Sequence, residues 1–186
     1  MQTKIVMAAL YMVLFLMGIP GAHAEPPLEG QPFADIALQG TLMAEQKAKL
    51  GLAGSGPFRL TDIKAEHVLV EVFSMYCPYC QREAPEMNSL AERLANLPAG
   101  KLAVVGLGAG NSQLEVDLFR QKYGVRFALF TDESLAIHAQ LGDPATPHFF
   151  LVSLKDRKHP RVVLSRKGRM ASPEAFAAEL GKLVGK

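Results

Sequence analysis

Cysteine and tryptophan are almost missing from this chain, which has two of the first, none of the second, and 20 basic side chains nearly balanced by 18 acidic ones. Two cysteines cannot build the multi-bridge framework of a small exported domain, and the pair separated by two residues closes too short a loop to staple much. A structural zinc site needs a second cysteine pair or a closely spaced histidine pair, and the sequence has neither. The near balance of charge argues against nucleic acid as the main partner. Beyond the N-terminal segment no long apolar run occurs, so the rest reads as one domain with a sizeable core.

What is present begins with Lys4, an uncharged apolar stretch from Ile5 to Met17, then Gly18, Pro20 and the small-residue triplet Ala22-His23-Ala24. That layout predicts a secretory signal peptide over residues 1–24, cleaved after Ala24. An uncleaved anchor from Ile5 to Ile19 is the alternative, so the expected location is periplasmic or otherwise extracytoplasmic, free or held at a membrane. Residues 25–32 are rich in Pro and Gly and read as a flexible lead-in, with organised structure over 33–186.

Along that domain, Ala44 to Leu50 suggests a short helix and Gly51 to Pro57 a loop. Val68 to Phe73 is an apolar, β-rich run interrupted by Glu71, as expected of a central strand covered on both faces. Met87, Leu90, Leu94 and Leu97 then recur at helical spacing in a helix that begins near Cys77, with a kink expected at Pro85. Lys101 to Leu107 reads as a second strand and Gly108 to Ser112 as a turn. Leu114 to Tyr123 reads as a helix with Leu114, Leu118 and Phe119 inward, followed by a strand at Phe127 to Phe130 and a helix at Ser134 to Leu141. His148 to Leu154 and Arg161 to Ser165 predict an antiparallel hairpin, and Ser172-Pro173 opens a last helix with Phe176, Leu180, Leu183 and Val184 inward. The order describes an α/β sandwich with helices on both faces of a mixed sheet. The cluster Arg166-Lys167-Gly168-Arg169 reads as a solvated turn.

The chemistry concentrates in VEVFSMYCPYCQREAP, Val70 to Pro85, where a buried strand hands over to a helix. A Cys-x-x-Cys pair in that context points to redox work. Unpaired amides and the macrodipole at a helix N-terminus favour a thiolate, so Cys77 is the expected nucleophile. Cys80 lies one turn further in, close enough to form a disulfide with it, and is the expected resolving thiol.

These residues resemble the thioredoxin superfamily, and especially its exported TlpA/ResA-type disulfide reductases. The resemblance implies a thioredoxin-like three-layer sandwich, with Leu114 to Phe130 as a TlpA/ResA-type central insertion. It makes Glu71 a buried acid that moves protons and Glu83 an acid beside the active site, a solvated helix glutamate being the alternative for the second. Thr146-Pro147 matches the cis-proline loop that faces the cysteines and binds substrate backbone, with Tyr76, Pro78 and Tyr79 completing the substrate-binding surface. Tyr76 stands where the family usually carries tryptophan, and Pro78-Tyr79 differs from thioredoxin's Gly-Pro; a Cys-Pro start also resembles DsbA-type oxidants, which leaves the direction of electron flow open.

The function this implies is dithiol-disulfide exchange with exported proteins, as a reductant and in cytochrome c maturation in particular, by a monomer served by a membrane or periplasmic redox partner. No cofactor beyond the Cys77-Cys80 disulfide is expected. Alternatives are a disulfide-forming oxidant, a thiol peroxidase, for which Ser74 matches the expected approach but Val70 stands in place of its proline, and a copper-binding chaperone using both thiolates and His148.

Overall fold

A computed structural model describes residues 25–185, so the signal-peptide expectation lies outside the described residues. The seven residues His67–Phe73 form a strand, β3, with every side chain buried. It follows a short antiparallel pair, β1 (Ala37–Leu38) and β2 (Phe58–Arg59), which encloses helix α1 (Ala44–Leu50). The chain continues through α2 (Pro78–Leu94), β4 (Leu102–Ala109), α3 (Gln113–Tyr123), β5 (Ala128–Asp132), α4 (Ala136–Gln140), β6 (His148–Ser153), β7 (Arg161–Lys167) and α5 (Pro173–Val184). The main sheet runs β5-β4-β3-β6-β7, so β3 is central, parallel to β4 and antiparallel to β6. The β6-β7 hairpin and the parallel β4-β5 pair complete a mixed sheet.

Alternation along β3 assigns its side chains to two cores. Val68, Val70 and Val72 face one layer with Ile36, Leu60, Ile63 and Ile137. Leu69 and Phe73 face the other, where α2 contributes Met87, Leu90 and Leu94, α3 contributes Val116 and Phe119, and α5 contributes Phe176 and Leu180. Phe73, Phe149 and Met87 lose all contact with water there, each contributing roughly 2–3 kcal/mol of apolar burial. Glu71 shares the parity of Leu69 and Phe73, so it points beneath α2.

The structure differs from the sequence expectation at four places. Leu114 and Leu118 are exposed, while Val116 and Phe119 are buried. Both stripes have helical spacing, and the sheet selects the second because Phe119 stacks between Phe73 and Tyr123, with ring centroids 4.7 and 4.8 Å apart. Gly108 and Ala109 continue β4 instead of turning. The lead-in is tied down at its end: the Gly30 amide donates to the Val162 carbonyl at 2.8 Å and the Val162 amide to the Gln31 carbonyl at 2.9 Å, extending the sheet beside β7. The basic cluster is not a free turn, since Arg166 and Lys167 belong to β7 and Arg166 pairs with Glu179 at 2.5 Å.

Candidate active site

The cysteines lie where β3 passes into α2. A turn from Ser74 to Cys77 is closed by the Cys77 amide donating to the Ser74 carbonyl at 3.1 Å. Cys77 is the N-cap of α2 in an extended conformation, Pro78 takes the first helical position, where a missing N–H costs nothing, and the Cys80 amide donates to the Cys77 sulfur at 3.4 Å. The helix then passes through Pro85 without breaking. Both thiols are free; Cys77 is half-buried and Cys80 fully buried.

Their acidities diverge. Burial alone would raise the Cys77 pKa, but hydrogen bonds to its sulfur from the Thr146 side chain, the Cys80 thiol and the Cys80 and Tyr79 amides hold it below the ordinary thiol value. Burial pushes the Cys80 thiol far up, and the charges on Cys77 and Glu71 add to it. One sulfur is therefore ready to attack, and the other needs a base before it can.

Two acids lie below them. Glu71 is 3% exposed and has no ion-pair partner among the described residues. Burial first, then the charges of Glu83 and Cys77, lift its pKa to about 8. Glu83 is wholly buried, so the solvated-glutamate alternative is wrong. Its oxygens accept from Arg169 Nε at 2.6 Å and from the Met170 amide at 2.7 Å, tying α2 to the β7-α5 connection.

Across the cysteines the Thr146-Pro147 peptide is cis, and the Cys77 thiol donates to the Thr146 carbonyl at 3.3 Å. Pro147 is buried and Thr146 half-buried. Tyr76, Pro78 and Tyr79, which flank Cys77 in the chain, stand exposed. The Tyr76 hydroxyl donates to Glu115 of α3, and the Arg82 guanidinium lies 4.7 Å from the Tyr79 ring centre.

His148 does not join this group, and the third ligand imagined for copper is absent from the thiols. It shares strand parity with Phe150 on the other face of the sheet, stacks on that ring at 4.3 Å and meets Ser165 Oγ at 3.0 Å. Burial, aided by the Lys167 charge, depresses its pKa to about 4.

Sequence reasoning missed two residues. Arg169 was hidden in a basic run whose partner lies 86 positions away. Asn111, fully buried two residues past the end of β4, accepts from the Met75 amide at 2.9 Å. The only sequence signal for it is an asparagine placed after Gly108-Ala109-Gly110, which suggests a turn and nothing more.

The model of the AhpC/TSA family matches residues 30–157. "Thiol-disulfide oxidoreductase ResA" of Halalkalibacterium halodurans is 24% identical over 67% of this chain and 66% of its own length. The protein of the same name from Geobacillus thermodenitrificans is 28% identical over 56% of this chain and 58% of its own. The chain thus spans just under two thirds, or less, of the length of these curated relatives. A "thiol:disulfide interchange protein, thioredoxin family protein" from Chlorobium tepidum superposes with a TM-score of 0.58 at 18% identity, covering 87% of this chain and 99% of that one, which establishes the fold.

Proposed function

Because the chain belongs to the AhpC/TSA family and its two thiols are so unlike in acidity, we propose that it is a thiol-disulfide oxidoreductase acting on exported proteins. The observation that carries this reading is Cys77 at the N-cap of α2, with Cys80 buried beneath it and the Thr146 carbonyl opposite. In the reducing direction the Cys77 thiolate attacks one sulfur of a substrate disulfide, forming a mixed disulfide and releasing the other sulfur as a thiolate that takes up a proton. Cys80 then gives its proton to Glu71 in its ionised form and attacks the Cys77 sulfur. The second substrate thiol leaves, and the protein keeps a Cys77-Cys80 disulfide in exchange for the two electrons delivered. With a pKa of about 8, Glu71 can take up and return that proton near neutrality.

Thr146 and Pro147 present a backbone edge to the substrate chain, while Tyr76, Pro78 and Tyr79 surround the attacking sulfur. The direction we favour is reduction: burial opposes the hydrogen bonds that stabilise the Cys77 thiolate, and it is strong stabilisation of the reduced form that makes an oxidant. Cytochrome c maturation is the specific setting that the TlpA/ResA-type resemblance of the sequence implies, with export, a membrane or periplasmic reductant and a monomeric protein as its corollaries. A peroxide substrate fits less well, because the position of the peroxidase proline is Val70, buried mid-strand between Val105 and Phe150.

Replacing Cys77 by Ser abolishes insulin disulfide reduction in an assay supplied with a small-molecule reductant; undiminished turnover overturns the proposal. Direction is decided by the reduction potential of the pair, with a value near roughly −270 mV supporting a reductant and one near about −120 mV an oxidant.

A further inference from the structure

The peptide of Met75, two residues before the attacking cysteine, is held on both sides by side chains. Its amide donates to Asn111 Oδ1 at 2.9 Å, and its carbonyl accepts from Gln81 Nε2 at 2.8 Å. Gln81 reaches back from the first turn of α2, whereas Asn111 comes from the loop just past the C-terminal end of the neighbouring strand β4 and is completely buried. The Asn111 amide group also reaches Ser74 Oγ at 3.5 Å.

Room for Asn111 is made by Gly108. A Cβ built there would meet Val116 Cγ2 at 3.0 Å, Asn111 Cβ at 3.1 Å and Asn111 Oδ1 at 3.2 Å. The Asn111 amide donates to the Gly108 carbonyl at 3.1 Å, which sets the direction in which its side chain leaves the strand. A fully buried asparagine costs stability unless its polar atoms are used, and here they are used on the cysteine turn.

That turn holds the backbone of Cys77 and reaches the sulfur of Cys80. The Ser74 carbonyl accepts from the Cys77 amide, and the Ser74 amide serves the Cys80 sulfur. A nucleophile at a helix N-cap keeps its stabilised anion only while the cap geometry is held, because interaction with the end amides falls off within the first turn.

We propose that Asn111 is a positioning residue for thiol-disulfide exchange: together with Gln81 it clamps the Met75 peptide and so fixes the turn that presents Cys77 over the N-terminus of α2. This rests on the oxidoreductase reading for its purpose, though not for its measurement. The ionisable groups that interact with Cys77 are Glu71 from β3 and Cys80 from α2; behind Glu71 lies the charge of Glu83, paired with Arg169, and Tyr76 with Glu115 lies alongside. Neither Asn111 nor Gln81 carries charge, so changing them leaves that set intact.

The test is the rate of Cys77 alkylation by iodoacetamide as a function of pH in the reduced protein; Cys80 is buried and does not compete. Asn111→Ala moves the midpoint upward and leaves the alkaline plateau in place, so that alkylation at neutral pH slows about fivefold. Gln81→Met, at a half-buried site, moves it the same way by less. An unmoved midpoint in both variants overturns the inference, as does an equal loss of rate at every pH, which marks general loosening. Should Asn111→Ala fail to fold by circular dichroism, Gln81→Met decides alone. Alkylation needs no substrate, so a wild-type protein that ignores insulin while the midpoint still shifts sinks the oxidoreductase reading and leaves the clamp standing.

Discussion

Two carboxyl groups lie beneath the cysteines, Glu71 on β3 and Glu83 one turn along α2 from Cys80, and both are essentially out of water. Glu83 accepts from a guanidinium and a backbone amide, which engages both oxygens and makes it part of the joint between α2 and the β7-α5 connection. Glu71 has no such partner among the described residues, and its pKa rises to about 8. Burial of the same chemical group thus yields a structural acceptor in one place and, in the other, a carboxyl group that keeps its proton up to about pH 8. The difference is made by Arg169 and Met170, not by depth, and it can be attacked from either side.

The largest effect is expected at Glu71. Its folded pKa of about 8 lies above the ordinary 4.5, so its contribution to stability is complete below pH 4.5 and is lost as pH rises through 8. Glu71→Gln removes that dependence. The variant matches the wild type near pH 4 and exceeds it above pH 8 by an amount on the order of 5 kcal/mol, while insulin reduction at neutral pH falls about a hundredfold for want of the base. Urea unfolding across pH checks the first part; a stability difference that does not grow with pH means Glu71 is not alone in its burial.

At the paired acid the expected loss is smaller and depends on which partner goes. Arg169→Met leaves the Glu83 carboxylate enclosed with only the Met170 amide and costs about 3 kcal/mol. Glu83→Leu instead lets Arg169, whose side chain is already 39% exposed, turn to water, and costs about 1–2 kcal/mol for the amide left unpaired. Equal losses in urea unfolding at neutral pH contradict this asymmetry and place the pair in a wetter setting than its geometry indicates.

The same contrast marks what a sequence can reveal. β3, its central position and the thiol chemistry were legible because an apolar run ending in Cys-x-x-Cys encodes them locally. The Thr146-Pro147 loop was legible through family resemblance alone, and the structure places it against Cys77. Glu83's burial was not legible, since three residues past Cys80 fixes a helical turn but says nothing of an arginine on another element. Asn111 escaped for the same reason: its meaning lies in an amide 36 residues earlier. α3 misled because Leu114/Leu118 and Val116/Phe119 both repeat at helical spacing, and only packing against Phe73 chooses between them.

The finest test asks how far the two acids feel each other. The charge on Glu83 is second only to burial in raising the Glu71 pKa, and Glu83→Gln removes it while keeping the shape and an oxygen that can still accept from Met170. The Glu71 midpoint then moves down from about 8 by roughly one pH unit or less, read from the carboxyl carbon shift of selectively labelled glutamate. In stability the shift shows as a pH slope that ends earlier, since the proton leaves Glu71 at lower pH. If the midpoint stays at its wild-type value, burial alone sets it, and Glu83 serves only to hold α2 against the β7-α5 connection.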